Sequence, residues 1–135
     1  MKAGEPVWQE LQHPRGVSDD ERRLLRSLTA TVDEPLLDRQ VDTAAVAAVC
    51  RCGCSSVRLR TAEPPLPAAR VAQLSGNGRL DYFYVDAVGH RLDRATVQVV
   101  LHVVEGRAHE LEVFAGEGVA VSLADLTHLT DTWVS

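Results

Sequence analysis

VAAVCRCGCSSVRLR, residues 46–60, decides how the rest of the chain is read. Val46, Ala48 and Cys50 alternate with Ala47, Val49 and Arg51. Beyond the turn, Val57 and Leu59 alternate with Arg58 and Arg60. A period of two puts alternate side chains on opposite faces, so the stretch predicts two short antiparallel strands. Cys52-Gly53 is the expected two-residue turn, with Gly53 supplying the positive φ. That turn pairs Arg51 with Cys54, Cys50 with Ser55, Ala48 with Val57 and Val46 with Leu59. The apolar residues then meet on one face, and a one-residue slip would move Val57 and Leu59 to the other. In this register Cys50 faces the core, and Cys52 and Cys54 sit at the tip.

On the N-terminal side, Ser18-x-x-Glu21 is a capping box, and Asp19 and Asp20 suit the positive end of a helix. Leu24, Leu25 and Leu28 form one apolar stripe, which predicts an amphipathic helix over 18–30. Asp33-Glu34-Pro35 opens a second short helix through about Gln40, with Leu36 and Leu37 inward. Residues 1–17, with Gly4, Pro6, Pro14 and Gly16, read as a flexible lead-in to a single domain over 18–135. Trp8 and Leu11 are its apolar anchors.

On the C-terminal side, Thr61 to Pro67 carries three prolines and breaks regular structure. Val71 to Leu74 reads as a brief edge strand before the Ser75-Gly76-Asn77-Gly78 turn signal. Asp81 to Val88 is a strand with Phe83 and Val85 on one side and Tyr82, Tyr84 and Asp86 on the other. Ala95 to Val104 is apolar on both sides and is expected at the centre of a sheet. Glu105-Gly106 is a hairpin turn into Ala108–Phe114. Ser122-x-x-Asp125 caps a last short helix or turn over 122–128. Helices followed by antiparallel strands predict an α+β fold, with short N-terminal helices packed on a four- to six-stranded antiparallel meander.

Composition narrows the function classes. A chain of 135 residues that is 45% apolar has room for one core. Lys2 is the single lysine against 13 arginines, and the net charge of −5 argues against sequence-independent binding of nucleic acid. No apolar segment follows Lys2 and no run is long enough to span a bilayer, so neither a signal peptide nor a membrane anchor is expected. Three cysteines cannot all pair within one chain, and reduced thiols in a cytoplasmic protein are the default reading.

Two hairpins carry a resemblance. Cys50-x-Cys52-Gly53-Cys54-x-Ser56-Val57 and Leu101-His102-Val103-Val104-x-Gly106-x-x-x-Glu110-Leu111-Glu112-Val113 resemble the paired hairpins of small uncharacterised actinobacterial α+β proteins. The likeness spans about residues 20–128, nearly the whole domain. Ser55 stands where that group often has proline, and Glu105 where it often has aspartate. The resemblance implies the fold and carries no activity.

Three constellations can hold chemistry. Cys50, Cys52 and Cys54 can offer thiolates to Zn²⁺ or Cu⁺, although a structural zinc site takes four ligands and no second knuckle is present. The other reading of these cysteines is one small buried hydrophobe and two turn thiols. Strand parity defines the second group. Arg58, Arg60, Tyr82, Tyr84, Asp86, Gln98, His102, Glu110 and Glu112 share the sheet face turned away from the helices. That face can hold a small molecule, a protein partner or a second copy of the chain, or it is a solvated face with Arg–Glu pairs across strands. The third is His102 as general base, oriented by Asp86 or Glu112. No P-loop, dinucleotide-binding glycine pattern, serine elbow or H-E-x-x-H is present. The sequence therefore supports a small cytoplasmic, non-catalytic binding or accessory protein, without a required cofactor. A thiolate metal protein and a small enzyme are the alternatives.

Overall fold

The structure is a computed structural model and describes residues 7–51, 54–92, 95–116 and 119–135. Eleven elements follow in chain order: β1 (Trp8–Gly16), α1 (Asp19–Thr29), α2 (Pro35–Thr43), β2 (Ala45–Cys50), β3 (Val57–Arg60), α3 (Ala68–Leu74), β4 (Tyr82–His90), β5 (Thr96–Val104), β6 (Arg107–Phe114), a single 3₁₀ turn (Leu123–Asp125) and β7 (Leu129–Val134). The fold is α+β. All strands join one sheet in the order β1-β2-β3-β6-β5-β4-β7, every pair antiparallel. Two meanders, β1–β2–β3 and β4–β5–β6, meet where β3 pairs with β6.

Seven strands exceed the expected four to six because a strand is added at each edge of the sheet. Residues 8–16, expected as a flexible lead-in, form β1 against β2, with Trp8 opposite Cys50 and Gly16 opposite Ala45. Its register slips between Glu10 and Arg15, across Pro14, where proline fits an edge strand or a bulge. Residues 129–134 form β7 on β4. Its pairing also slips, and Asp131 sits there at φ 53°, a left-handed conformation that interrupts the strand's alternation. Residues 68–74, which include the expected edge strand 71–74, are the helix α3. The short helix or turn expected over 122–128 is a 3₁₀ turn, Leu123–Asp125, but the expected cap is absent, since Ser122 makes no side-chain hydrogen bond there.

The first two helices form as their caps dictate. Ser18 Oγ accepts from the Glu21 amide at 3.1 Å, and the Glu21 carboxylate accepts from the Ser18 amide at 2.8 Å. Leu24, Leu25 and Leu28 are buried on one stripe of α1. In α2 the cap is Glu34, whose carboxylate accepts from the Leu36 amide at 3.3 Å, and the helix runs on to Thr43. Leu37 and Val41 join the α1 leucines over the inner face of the sheet.

At the centre of that inner face are Phe83, Val85 and Ala87 of β4, Val97, Val99, Leu101 and Val103 of β5, and Leu111 and Val113 of β6. β5 lies between β4 and β6, as its two-sided apolar sequence predicts. The turn from β5 to β6 is a two-residue hairpin closed by Val104 opposite Arg107. Glu105 (φ 53°) and Gly106 (φ 78°) both take the left-handed conformation that such a turn demands. A Cβ on Gly106 would also lie 2.5 Å from the Leu66 carbonyl oxygen, so only glycine lets the proline-rich connection pack against the turn.

The β2–β3 hairpin differs from expectation at one point. Val46 does face Leu59, but a bulge between Val46 and Ala48 pairs Ala48 with Arg58 and Val49 with Val57. The Cys50 amide accordingly donates to the Ser56 carbonyl rather than pairing with Ser55. The extra residue reverses the parity of the strand beyond it. Val49 packs against the main core, whereas Ala48 and Cys50 are buried on the other face with Arg58, outside that core. Cys52 and Gly53, the expected turn, lie outside the described residues.

Candidate functional site

The outer face of the sheet carries a transverse row of polar side chains. Arg58 of β3 lies opposite Glu110 of β6, Glu110 opposite His102 of β5, and His102 opposite Tyr84 of β4. One step along, Glu112 lies opposite Val100, Val100 opposite Asp86, and Asp86 opposite Trp133 of β7. Directly opposed residues in antiparallel strands project to the same face, so these rows are set by the ladder.

His102 is the centre. Its Nδ1 lies 2.6 Å from Tyr82 Oη and its Nε2 lies 2.7 Å from Glu112 Oε1. With the ring proton on Nε2, His102 donates to Glu112 and accepts from the Tyr82 hydroxyl. The imidazolium would donate at both nitrogens. The Tyr82 and His102 rings are nearly parallel, 20° apart, with centroids separated by 5.9 Å. Tyr84 flanks both, 6.1 Å from Tyr82 and 6.5 Å from His102. Side-chain donor atoms of His102, Glu110 and Glu112 all lie within 4.8 Å of one another, and all three residues are half-buried.

The electrostatics follow from this crowding. Burial pushes the Glu110 carboxyl above its ordinary value, the Glu112 charge pushes the same way, and His102 and Arg58 oppose them. Tyr82 is also pushed up, first by burial and then by Tyr84, Glu112 and Glu110. Arg58 does not simply neutralise the carboxylate it faces. Its guanidinium carbon sits 4.8 Å from the centre of the Trp8 ring, and its buried Nε has no hydrogen-bond partner among the described residues.

The ladder brings Arg58, Tyr82, Tyr84, His102, Glu110 and Glu112 together and sets three expected residues apart. Asp86 is half-buried but separated from Glu112 by Val100, so Glu112 is the carboxylate that orients His102. Gln98 is exposed opposite Phe114, and Arg60 is exposed opposite Ala45. Of the cysteines, Cys50 is buried, Cys54 is half-buried, and Cys52 lies outside the described residues.

Besides Trp133, two residues beside Arg58 were not expected on this face. β6 carries a bulge between Glu110, which pairs with His102, and Ala108, which pairs with Val103. His109 is the inserted residue. Burial, then Arg58 and then His102 push its imidazole below the ordinary histidine range. Strict alternation from Leu111 would place His109 in the core. Two successive polar residues, His109-Glu110, in an otherwise alternating strand are the signal of the bulge. Trp8 is the other, carried in by β1.

No helix among the described residues is long and apolar enough to cross a membrane. In comparisons with protein-family models, curated proteins and solved structures, nothing matches this chain.

Proposed function

We propose that this chain is a small non-catalytic binding protein whose binding surface is the outer sheet face. The observation that supports this reading is the half-buried Tyr82–His102–Glu112 chain with Glu110 beside it, on the face opposite the helices. Two carboxylates held side by side and half-buried repel one another, and a group bound beside them would relieve that repulsion. The occupant is a small ligand or a partner surface that meets Tyr82, Tyr84 and His102. The three cysteines in an otherwise ordinary globular composition support a reducing, cytoplasmic setting.

Hydroxyl-radical footprinting of the chain, purified and again in a lysate of its source cells, tests the proposal. Tyr82 and Tyr84 should be modified less in the lysate, while Leu92, which is 80% exposed beyond the end of β4, reports the general level of labelling. Equal modification of the tyrosines in both samples would overturn the reading.

One observation favours a second reading. Glu112 orients His102 at 2.7 Å, the geometry of a general base held by a carboxylate. Under that reading, a panel of activated esters and phosphate esters contains a substrate whose turnover disappears in both His102→Gln and Glu112→Gln. Turnover indifferent to both substitutions removes it.

A further inference from the structure

We infer that His102 Nε2 and the carboxylates of Glu110 and Glu112 form a three-ligand site for one zinc-class divalent cation. The inference rests on the outer face being the binding surface and names its occupant as an ion.

The donor set is the first argument. One neutral imidazole and two carboxylates supply two negative charges, which match a divalent ion. Imidazole with carboxylate suits zinc and its first-row neighbours, whereas calcium and magnesium take shells built of oxygen. Three protein ligands leave a fourth position open above the sheet, where water or a further ligand binds.

Placement is the second. His102 and Glu110 are direct partners in the ladder, and Glu112 is two residues along the same strand. Backbone pairing therefore presets all three. The donor atoms lie within 4.8 Å of one another. Zinc holds such atoms at about 2.0–2.2 Å from itself, so side-chain rotations of about 1 Å close the site without moving the strands.

The third argument is independent of the ligands. Tyr82 Oη sits 2.6 Å from Nδ1, the ring nitrogen that would not bind the ion. A ligating histidine usually donates that second N–H to an oxygen, which fixes both ring orientation and tautomer. On binding, the ring proton resides on Nδ1 and is donated to Tyr82 Oη. The Nε2 lone pair then faces the ion, which replaces the hydrogen bond from Nε2 to Glu112.

The test uses the full chain after treatment with a chelator, titrated with Zn²⁺ alone by calorimetry. One ion per chain with Kd below about 10 μM is expected. Glu110→Gln and Glu112→Gln should each weaken binding at least about tenfold, and Tyr82→Phe by about 10- to 100-fold, the usual effect of losing an orienting partner. Circular dichroism and melting of the metal-free variants establish that they are folded. Co²⁺ on the wild-type chain needs no variant. It should broaden the amide resonances of His102, Glu110 and Glu112 and show no thiolate charge-transfer absorption. Three results overturn the inference: no binding in this range, binding unchanged in both carboxylate variants, or a thiolate absorption that moves the ion to the cysteines. Lysate protection of Tyr82 and Tyr84 without Zn²⁺ binding would leave the binding-face reading intact and sink this one alone.

Discussion

Gln40 of α2 accepts a hydrogen bond from the Ala108 amide of β6 at 2.8 Å, and both groups are buried. The same side chain donates from Nε2 to the Pro64 and Gly106 carbonyls, each at 3.0 Å. One amide thus ties a helix to the β5–β6 hairpin and to the proline-rich connection. Gln40→Leu keeps the volume approximately but leaves the Ala108 N–H and the Pro64 carbonyl without their partner. The expected loss is about 2–6 kcal/mol in urea unfolding, since each of the two orphaned groups costs about 1–3 kcal/mol. A loss under about 1 kcal/mol would mean that water replaces the side chain there.

Arg15 of β1 and Glu21 of α1 form a bidentate ion pair at 2.9 and 2.8 Å. Burial alone would raise the Glu21 carboxyl. The Arg15 guanidinium, the Ser18 amide and the Ser18 cap outweigh it and hold the group below its ordinary value. A carboxyl depressed in the folded state adds stability above its unfolded pKa, and that stability is lost as pH falls through the folded one. Glu21→Gln should therefore melt below the wild type at pH 7, and the gap should close as pH drops below about 4. A gap of the same size at pH 7 and at pH 3 would show that the charge on Glu21 contributes nothing.

Leu101 is 0% exposed in β5, against the α1 leucines and between the buried residues of β4 and β6. Leu101→Ala should destabilise by about 2–5 kcal/mol through lost transfer energy and the cavity left behind. Chemical denaturation measures this directly, and a change under about 1 kcal/mol would contradict the burial of this face.

Removing residues 1–12 takes away Trp8 to Gln12 of β1. The expected result is a drop in melting temperature and faster alkylation of Cys50. Trp8 is the direct partner of Cys50, and the Arg51 amide donates to the Val7 carbonyl at 2.7 Å. The deletion also opens the edge of β2 and takes the indole away from Arg58. Unchanged melting together with unchanged Cys50 reactivity would show that β1 adds nothing to the fold or to the face.

The sequence by itself determined what local periodicity and caps can determine. Ser18-x-x-Glu21 started α1, the alternation of Phe83 and Val85 with Tyr82 and Tyr84 divided β4 between two faces, and Glu105-Gly106 closed the hairpin that sets His102 opposite Glu110. Gathering His102, Glu110 and Glu112 on one face needed only strand parity. Tertiary structure decided the rest, because it depends on residues distant in the chain. β1 and β7 are strands because β2 and β4 offer unpaired edges that their own weak, bulged sequences do not advertise. The 68–74 segment is a helix because Val71 finds the core in that form and not as an edge strand. The bulges at Ala47 and His109 each add one residue to a strand. One extra residue turns every later side chain over, which carries Cys50 out of the core and His109 onto the outer face.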